Sequence, residues 1–280
     1  MNILITGCNG FLGKELISRF KNTTHVIHAT NRKSLDVTNH QHVENFFARN
    51  DIDIVLHTAI QGGTRGAVDT FEDFVANISM FSNLQKQADK FKLMINFGSG
   101  AEFDRSTSIE NADEFELFNN WPGDYYGSAK NLIAREISTY GGNIVNLRVF
   151  GCFGIHEKSS RMIKSAMLSC LAENSITIHQ NKKMDYIYVG DLYNILVHYI
   201  DNFDKQELPK DLNVCYNQKL TLKNIVNKVR YLTNRNVDVI IENAGLENCY
   251  TGNCSKLNEL DLDLIGLEGG IKEVLSGYTK

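Results

Sequence analysis

Tyr126 and Lys130 stand four residues apart in Tyr126-Gly127-Ser128-Ala129-Lys130, a spacing that puts both on one face of a helix. A phenol of pKa about 10 gives up its proton poorly at neutral pH, and an ammonium beside it lowers that value by favouring the phenolate. The pair is therefore expected to form a tuned acid for an oxygen that gains negative charge. Ser99, just after the apolar run Leu93–Phe97, offers a hydroxyl to the same carbonyl oxygen. Tyr-x-x-x-Lys by itself also describes an amphipathic surface pair, so the assignment depends on its surroundings.

A second constellation opens the chain. Thr6-Gly7-Cys8-Asn9-Gly10-Phe11-Leu12-Gly13 follows a short apolar run and begins a helical pattern with Phe11, Leu12, Leu16, Ile17 and Phe20. Gly7 would make the tight turn, Gly10 would let the backbone approach a pyrophosphate, and Gly13 would let helix pack closely on strand. The helix start then aims its free N–H groups and dipole at the anion. The alternative is a glycine-rich turn without a ligand. At the end of the second strand the sequence reads Ala29-Thr30-Asn31-Arg32-Lys33. An Arg there suits a ribose 2′-phosphate, so NADP(H) is favoured over NAD(H). Two solvated loop cations are the other reading. Asp36 is placed to hydrogen-bond the adenine amine.

These residues need a scaffold, and the hydrophobic pattern supplies one. Strands are expected at 2–6, His25–Thr30, Asp53–Thr58, Leu93–Phe97 and Ile144–Val149, with helices at 11–20, around His42–Arg49, through Phe74, Ile78, Phe81 and Leu84, and from Tyr125 to about Tyr140. That alternation predicts an α/β fold, a doubly wound parallel Rossmann sheet covered on both faces. Beyond residue 150 the rhythm changes: a helix at Met162–Leu171, a strand at Ile176–His179, the segment Tyr186–Val189, a helix to about Ile200, and helices near Leu222–Leu232 and Gly270–Leu275. The expected division is a cofactor-binding portion of residues 1–152 with 174–202, and a smaller C-terminal α/β substrate lobe of 153–173 with 203–280 over the sheet's C-terminal edge.

Whole-chain properties narrow the class. The 280 residues are 42% hydrophobic and 22% charged, with net charge -4. Those are ordinary globular proportions, and they give no basic field for nucleic acid. Six cysteines are scattered without CxxC or metal-ligand spacing, which fits a reducing compartment and implies no metal. No run is long and apolar enough to span a bilayer, and the start lacks a basic n-region. A cytoplasmic protein free of membrane is expected.

Taken together these motifs resemble the extended short-chain dehydrogenase/reductases, the NAD-dependent epimerase/dehydratase family, whose members act mostly on nucleotide sugars. The resemblance also rests on Val55-Leu56-His57-Thr58-Ala59, Asn77 in a helix, Asn96-Phe97-Gly98-Ser99, Arg148-Val149-Phe150-Gly151, Asp185-Tyr186-Ile187-Tyr188-Val189-Gly190-Asp191 and Ser255-Lys256-Leu257 with Gly269-Gly270-Ile271. It implies that Tyr126 protonates the substrate oxyanion as hydride arrives from the nicotinamide. Lys130 would hydrogen-bond the nicotinamide ribose and depress the Tyr126 pKa, while Ser99 positions the carbonyl. Cofactor contacts are expected at Gly7, Asn9, Gly10, Phe11, Leu12, Arg32, Asp36, Val37, Thr58, Ala59, Asn77 and Lys130. Substrate contacts are expected at Ser99, Gly100, Ala101, Tyr126 and Arg161. A homodimer through the helices holding Asn77–Ala88 and Tyr126–Tyr140 is also implied.

Departures from relatives choose among reactions. Nucleotide-sugar 4,6-dehydratases carry Thr-Asp-Glu where this chain has Ser99, Gly100 and Ala101, with Glu102 one place late. GDP-fucose synthase, which the chain resembles at His57–Gly63, has a Cys where Ala101 stands and a His near Arg161. Without that acid/base pair, the chain resembles 4-keto reductases such as CDP-paratose synthase: NADPH-dependent reduction of a nucleotide-diphosphate 4-keto-6-deoxysugar. The alternatives are a nucleotide-sugar 4-epimerase with retained NAD and a non-catalytic NADP(H)-sensing scaffold. Relatives also place an Arg before the segment matching Asp185, where this chain has Met184 after Lys182 and Lys183. Arg161 is the remaining candidate for the diphosphate, the alternative being a solvated helix-end cation. His57 and Trp121 are read as structural.

Overall fold

The computed structural model describes residues 1–64, 66–140 and 142–278. In chain order its first half runs β1 (Asn2–Thr6), α1 (Phe11–Phe20), β2 (Val26–Ala29), α2 (His40–Phe47), β3 (Ile54–His57), α3 (Phe71–Gln85), β4 (Leu93–Ser99), β5 (Ile109–Ala112), α4 (Tyr125–Thr139) and β6 (Ile144–Val149). The second half runs β7 (Cys152–Phe153), α5 (Met162–Leu171), β8 (Ile176–Asn181), β9 (Ile187–Tyr188), α6 (Val189–Asn202), β10 (Asp211–Val214), α7 (Leu222–Thr233), β11 (Val239–Leu246), β12 (Tyr250–Gly252), α8 (Ser255–Glu259) and α9 (Gly266–Ser276).

Six strands pair in parallel in the order β10-β6-β4-β3-β1-β2. The chain leaves β1 toward β2 on one side and returns to β3 on the other, so the loops after β1 and β3 diverge and open a crevice at the carboxyl ends of these strands. Burial shows that the sheet is covered twice. Ile3, Ile5, Ile54 and Leu56 belong to one apolar cluster with Leu16 and Leu192, while Leu4, Val55, Met94 and Ile144 belong to another with Val43, Phe81 and Ile133. Alternation along each strand thus feeds two cores. α1 and α6 lie on the first face; α2, α3 and α4 lie on the second.

The remaining strands form pairs: β8 with β11, β5 with β12, and β7 with β9. With α5, α7, α8 and α9 they build the smaller α/β part. The chain crosses between the parts more often than the segment boundaries anticipate: β10, within 203–280, is the outer strand of the large sheet, and β8, within 174–202, pairs outside it. β10 escapes a pattern reading because its sequence is Asp-Leu-Asn-Val, and its Asp211 and Asn213 accept hydrogen bonds from Arg148.

Candidate active site

A cleft of about 700 Å³ lies over the carboxyl ends of β1, β3, β4 and β6, lined among others by Phe11, Leu12, Thr58, Ser99, Tyr126 and Lys130 on the sheet side and by Arg161, Lys182 and Tyr250 from the lobe. The glycine turn adjoins it through Phe11 and Leu12, the residues that follow Gly10. Gly7 has φ +68, and a Cβ there would stand 2.7 Å from the Ala59 backbone. A Cβ on Gly13 would stand 2.5 Å from the Gly7 carbonyl, so the first turn of α1 rests directly on the turn before it. Gly10 caps α1 in extended conformation without a side-chain hydrogen bond, which leaves the first-turn N–H groups directed at the crevice. Thr6 braces the floor: its hydroxyl is 3.0 Å from His57 Nδ1 and accepts the Ala59 N–H at 3.2 Å. This cradle fits a dinucleotide's pyrophosphate. His57 is buried, and burial, with Lys130 nearby, pulls its pKa down to about 3, so it is a neutral brace.

The acid side is set by α4. Asp124 caps the helix by accepting the Gly127 N–H at 2.8 Å, which starts it at Tyr125 and places Tyr126 in the first turn and Lys130 one turn on. The expected ammonium–phenol pair differs in the structure. Lys130 Nζ is buried and donates to the Phe97 carbonyl at 2.6 Å, and desolvation lowers its pKa to about 8 despite Glu102 nearby. Burial raises the pKa of Tyr126; the opposing influences are the Ser99 hydroxyl and the Arg105 guanidinium, not Lys130. Arg105 lies 5.7 Å from the centre of the Tyr126 ring and is held by Asp124 at 2.8 Å.

Ser99 is the last residue of β4, and the residues behind it fix its turn. Its N–H donates to Glu102 Oε1 at 2.8 Å, and its Oγ accepts the Ala101 N–H at 3.2 Å. Glu102 has no exposed surface and pairs with Arg148 at 2.5 Å; Arg148, equally buried, also pairs with Asp211 at 2.7 Å. Asn146 and Asn213 supply further hydrogen bonds to this network. Buried charges survive only with such complete pairing. Gly100 and Ala101, expected to face substrate, lie beneath Ser99: Ala101 has no exposed surface, and a Cβ on Gly100 would meet the Phe150 ring at 2.3 Å. They support the turn from behind and stay out of the cleft lining.

The other expected contacts divide. Asn77 is buried, and its amide both accepts from and donates to the Gln61 backbone at 2.9 Å, so it shapes the loop after β3. Thr58 lines the cleft. Arg32, Asp36 and Val37 lie beyond the main lining, past the end of β2. There Arg32 is exposed and 3.6 Å from Asp36, whose carboxylate accepts from Thr38 at 2.6 Å, and Val37 is buried. Arg161 does line the cleft, at the start of α5, 3.8 Å from the buried Glu157. Trp121 is exposed, with Arg135 stacked 5.5 Å from its ring. Sequence reasoning missed Arg105 and Tyr250, and it noted Lys182 without assigning it to the site, where it faces the cleft and pairs with Glu247 at 3.2 Å. No periodicity marks any of them. Among the described residues no group of three or more His, Cys, Asp or Glu could hold a metal ion, no helix is long and apolar enough to cross a membrane, and all six cysteines are free.

Residues 3–215 match the model of the NAD dependent epimerase/dehydratase family. The chain belongs to that family. It is similar to GDP-L-colitose synthase of Yersinia pseudotuberculosis, 23% identical over 244 residues that cover 79% of each chain. Among solved structures it resembles a GDP-mannoheptose C4 reductase from Campylobacter jejuni with NADP bound, at TM-score 0.83 and 20% identity over 100% of this chain and 98% of that one. It also resembles a UDP-glucose 4-epimerase with UDP-glucose from Thermotoga maritima, at TM-score 0.81 and 18% identity over 100% and 99%. The likeness to the solved structures shows that this family member shares their fold.

Proposed function

We propose that this family member reduces the 4-keto group of a nucleotide-diphosphate 4-keto-6-deoxysugar with NADPH, in the biosynthesis of surface-polysaccharide sugars. The observation that carries the reading is the commitment of Glu102. The first carboxylate after Ser99 is fully buried and ion-paired to Arg148, and Ala101 precedes it, so the turn offers no base for the carbon beside the carbonyl. Elimination and epimerisation at that carbon both need such a base. What the cleft does offer is an acid for an oxygen.

Bound NADPH supplies the hydride. Tyr126 donates its proton to the oxygen, Ser99 hydrogen-bonds the same oxygen, and Lys130, one turn from Tyr126, holds the nicotinamide ribose. Gly7, Asn9, Gly10, Phe11 and Leu12 cradle the pyrophosphate, and the exposed Arg32 meets the 2′-phosphate that distinguishes NADP(H) from NAD(H). Arg161 and Lys182, both lining the cleft, face the sugar-nucleotide diphosphate from the lobe. The C. jejuni C4 reductase supports a reductase; the T. maritima epimerase keeps 4-epimerisation with retained NAD as the rival. The same reading includes the division into a dinucleotide portion and a sugar-nucleotide lobe.

A homodimer belongs to the proposal as well. Phe71 and Val75 on α3 and Tyr125 and Leu132 on α4 are exposed, with the Phe71 and Tyr125 rings 6.0 Å apart, an apolar patch suited to a second copy. Sedimentation of the wild type and of Phe71→Lys tests it: a monomeric wild type would refute it.

The function is tested by incubating UDP-, GDP-, dTDP- and CDP-linked 4-keto-6-deoxysugars with NADPH. Stoichiometric NADPH loss with one of them, abolished in Tyr126→Phe while cofactor binding persists, is the expected result. Interconversion of 4-epimers without net NADPH loss would establish the epimerase instead.

A further inference from the structure

Ser99 Oγ has one hydrogen to give and two lone pairs to fill. One lone pair takes the Ala101 N–H at 3.2 Å. Two phenols compete for what remains: the Ser99 hydroxyl favours the ionised form of Tyr126, and the Tyr250 hydroxyl lies 3.3 Å from the same oxygen. If Ser99 gave its hydrogen to Tyr250, it would have none for Tyr126 or for an oxyanion in the cleft.

The position of Tyr250 is firmly determined. β12 pairs with β5 at Tyr250↔Ile109 and Gly252↔Ala112. The Tyr250 N–H donates to the Lys183 carbonyl at 2.9 Å, and its own carbonyl accepts the Asp185 N–H at 3.0 Å. Its ring stands edge-on to Phe150, centroids 5.3 Å apart, and Gly252 is tied to Asp185 at 2.9 Å. A phenol is also the better donor of the two hydroxyls, and burial keeps this one protonated by raising its pKa. The charged groups acting on the two phenols are Arg105, paired with Asp124; Glu102, paired with Arg148; and, for Tyr126, Asp69. None of them supplies a donor to Ser99 Oγ.

We propose that Tyr250 is a positioning residue whose hydroxyl donates to Ser99 Oγ, fills its second lone pair and turns the single Ser99 hydrogen toward Tyr126 and the substrate carbonyl oxygen. The inference deepens the reductase reading and rests on it for the identity of that oxygen; the arrangement of the three hydroxyls does not. Tyr250 acts through Ser99, so its effect vanishes when Ser99 is absent.

The test places a difluorinated tyrosine at position 126, whose fluorine resonance reports ionisation without any substrate, and combines it with Tyr250→Phe, Ser99→Ala and both. Tyr250→Phe is expected to raise the position-126 midpoint, because the Ser99 hydrogen is no longer held toward it. With natural Tyr126 it is expected to lower kcat about tenfold, the value of one hydrogen bond, with KM changed less than about twofold. In the Ser99→Ala background Tyr250→Phe should change neither quantity. para-Aminophenylalanine at position 250, which keeps a ring-borne donor, should restore both. A midpoint unmoved by Tyr250→Phe, an equal shift in the Ser99→Ala background, or failure of that rescue overturns the proposal. Absence of turnover on every 4-keto sugar would instead remove the reductase reading, and the fluorine midpoints would still decide the role of Tyr250.

Discussion

Lys130 Nζ donates to the main-chain carbonyl of Phe97 at 2.6 Å, so the ammonium is anchored to the strand that ends in Ser99 and not to the phenol one turn away. Two consequences follow. The lysine couples α4 to β4 at the level of the reaction, and its charge is held by one carbonyl in a desolvated setting that brings its pKa down to about 8.

NADPH affinity should therefore depend on pH. Below about pH 8 Lys130 is an ammonium and can hold the ribose; above it the cation is lost, and affinity should fall by up to about tenfold per pH unit. Fluorescence titration of NADPH across that range measures it, and a flat profile would show that Lys130 does not contact the cofactor. The same shift has a stability signature. Between about pH 8 and the ordinary lysine value near 10.5, the unfolded chain still binds the proton that the folded one has released, so stability contributed by this group rises with pH.

Gly63 has φ +68, and a Cβ on it would stand 2.6 Å from Cε2 of Tyr126. Gly63→Ala should displace the phenol by a fraction of an ångström and lower turnover by at least about tenfold, since reacting groups tolerate little misplacement. The backbone strain of an alanine in this conformation is about 1–2 kcal/mol. Steady-state kinetics beside a melting curve separate the two effects: a large loss of stability with unchanged turnover per folded molecule would contradict the contact.

Arg148→Met leaves Glu102 buried without its cation and leaves Asp211 with Asn146 but no ion-pair partner. Breaking a buried pair from one side costs about 3–5 kcal/mol, so urea unfolding should show a loss of that size. Loss of less than about 1 kcal/mol would mean that water or a rearranged partner reaches Glu102.

Glu157 is buried, its Oε2 has no hydrogen-bond donor, and burial raises its pKa to about 8. From the ordinary carboxyl value to about pH 8 the folded chain keeps a proton that the unfolded chain has lost, so this group's contribution to stability falls as pH rises through that window. Glu157→Gln should consequently stabilise the protein by about 1–3 kcal/mol at pH 8 and by little at pH 4. Thermal unfolding at the two values measures it; an equal effect at both would exclude titration as the cause.

The parts of the fold that the sequence made legible are those in which one face, or both, is apolar. β1, β3 and β6 read as buried runs, and the glycine turn announced itself by position, because its residues touch one another within a few places in the chain. β4 extends two residues further than its apolar run, to Ser99, since Gly98 and Ser99 pair with Arg148 and Val149 of β6. β10 was hidden for the opposite reason: its polar residues are satisfied by a charge buried in another strand. Tyr126 and Lys130 could be placed from helical spacing, but the lysine's partner could not, because a main-chain carbonyl leaves no mark on the sequence. Tyr250 meets Ser99 across 151 residues, and nothing local in Glu247-Asn248-Cys249-Tyr250 points there.

The Glu102–Arg148 pair under Ser99 has a counterpart in time. The Ser99 amide donates to a carboxylate sealed inside the sheet, so its hydrogen can exchange with solvent only when the strands themselves part, at a rate tied to global unfolding. Across the cleft, the loop after β3 carries Gly62, Gly63 and Gly66 at positive φ and a Val68 that is 93% exposed. Amides there should exchange orders of magnitude sooner, so of the two walls this is the yielding one, while the wall that aims the Ser99 hydroxyl stays still.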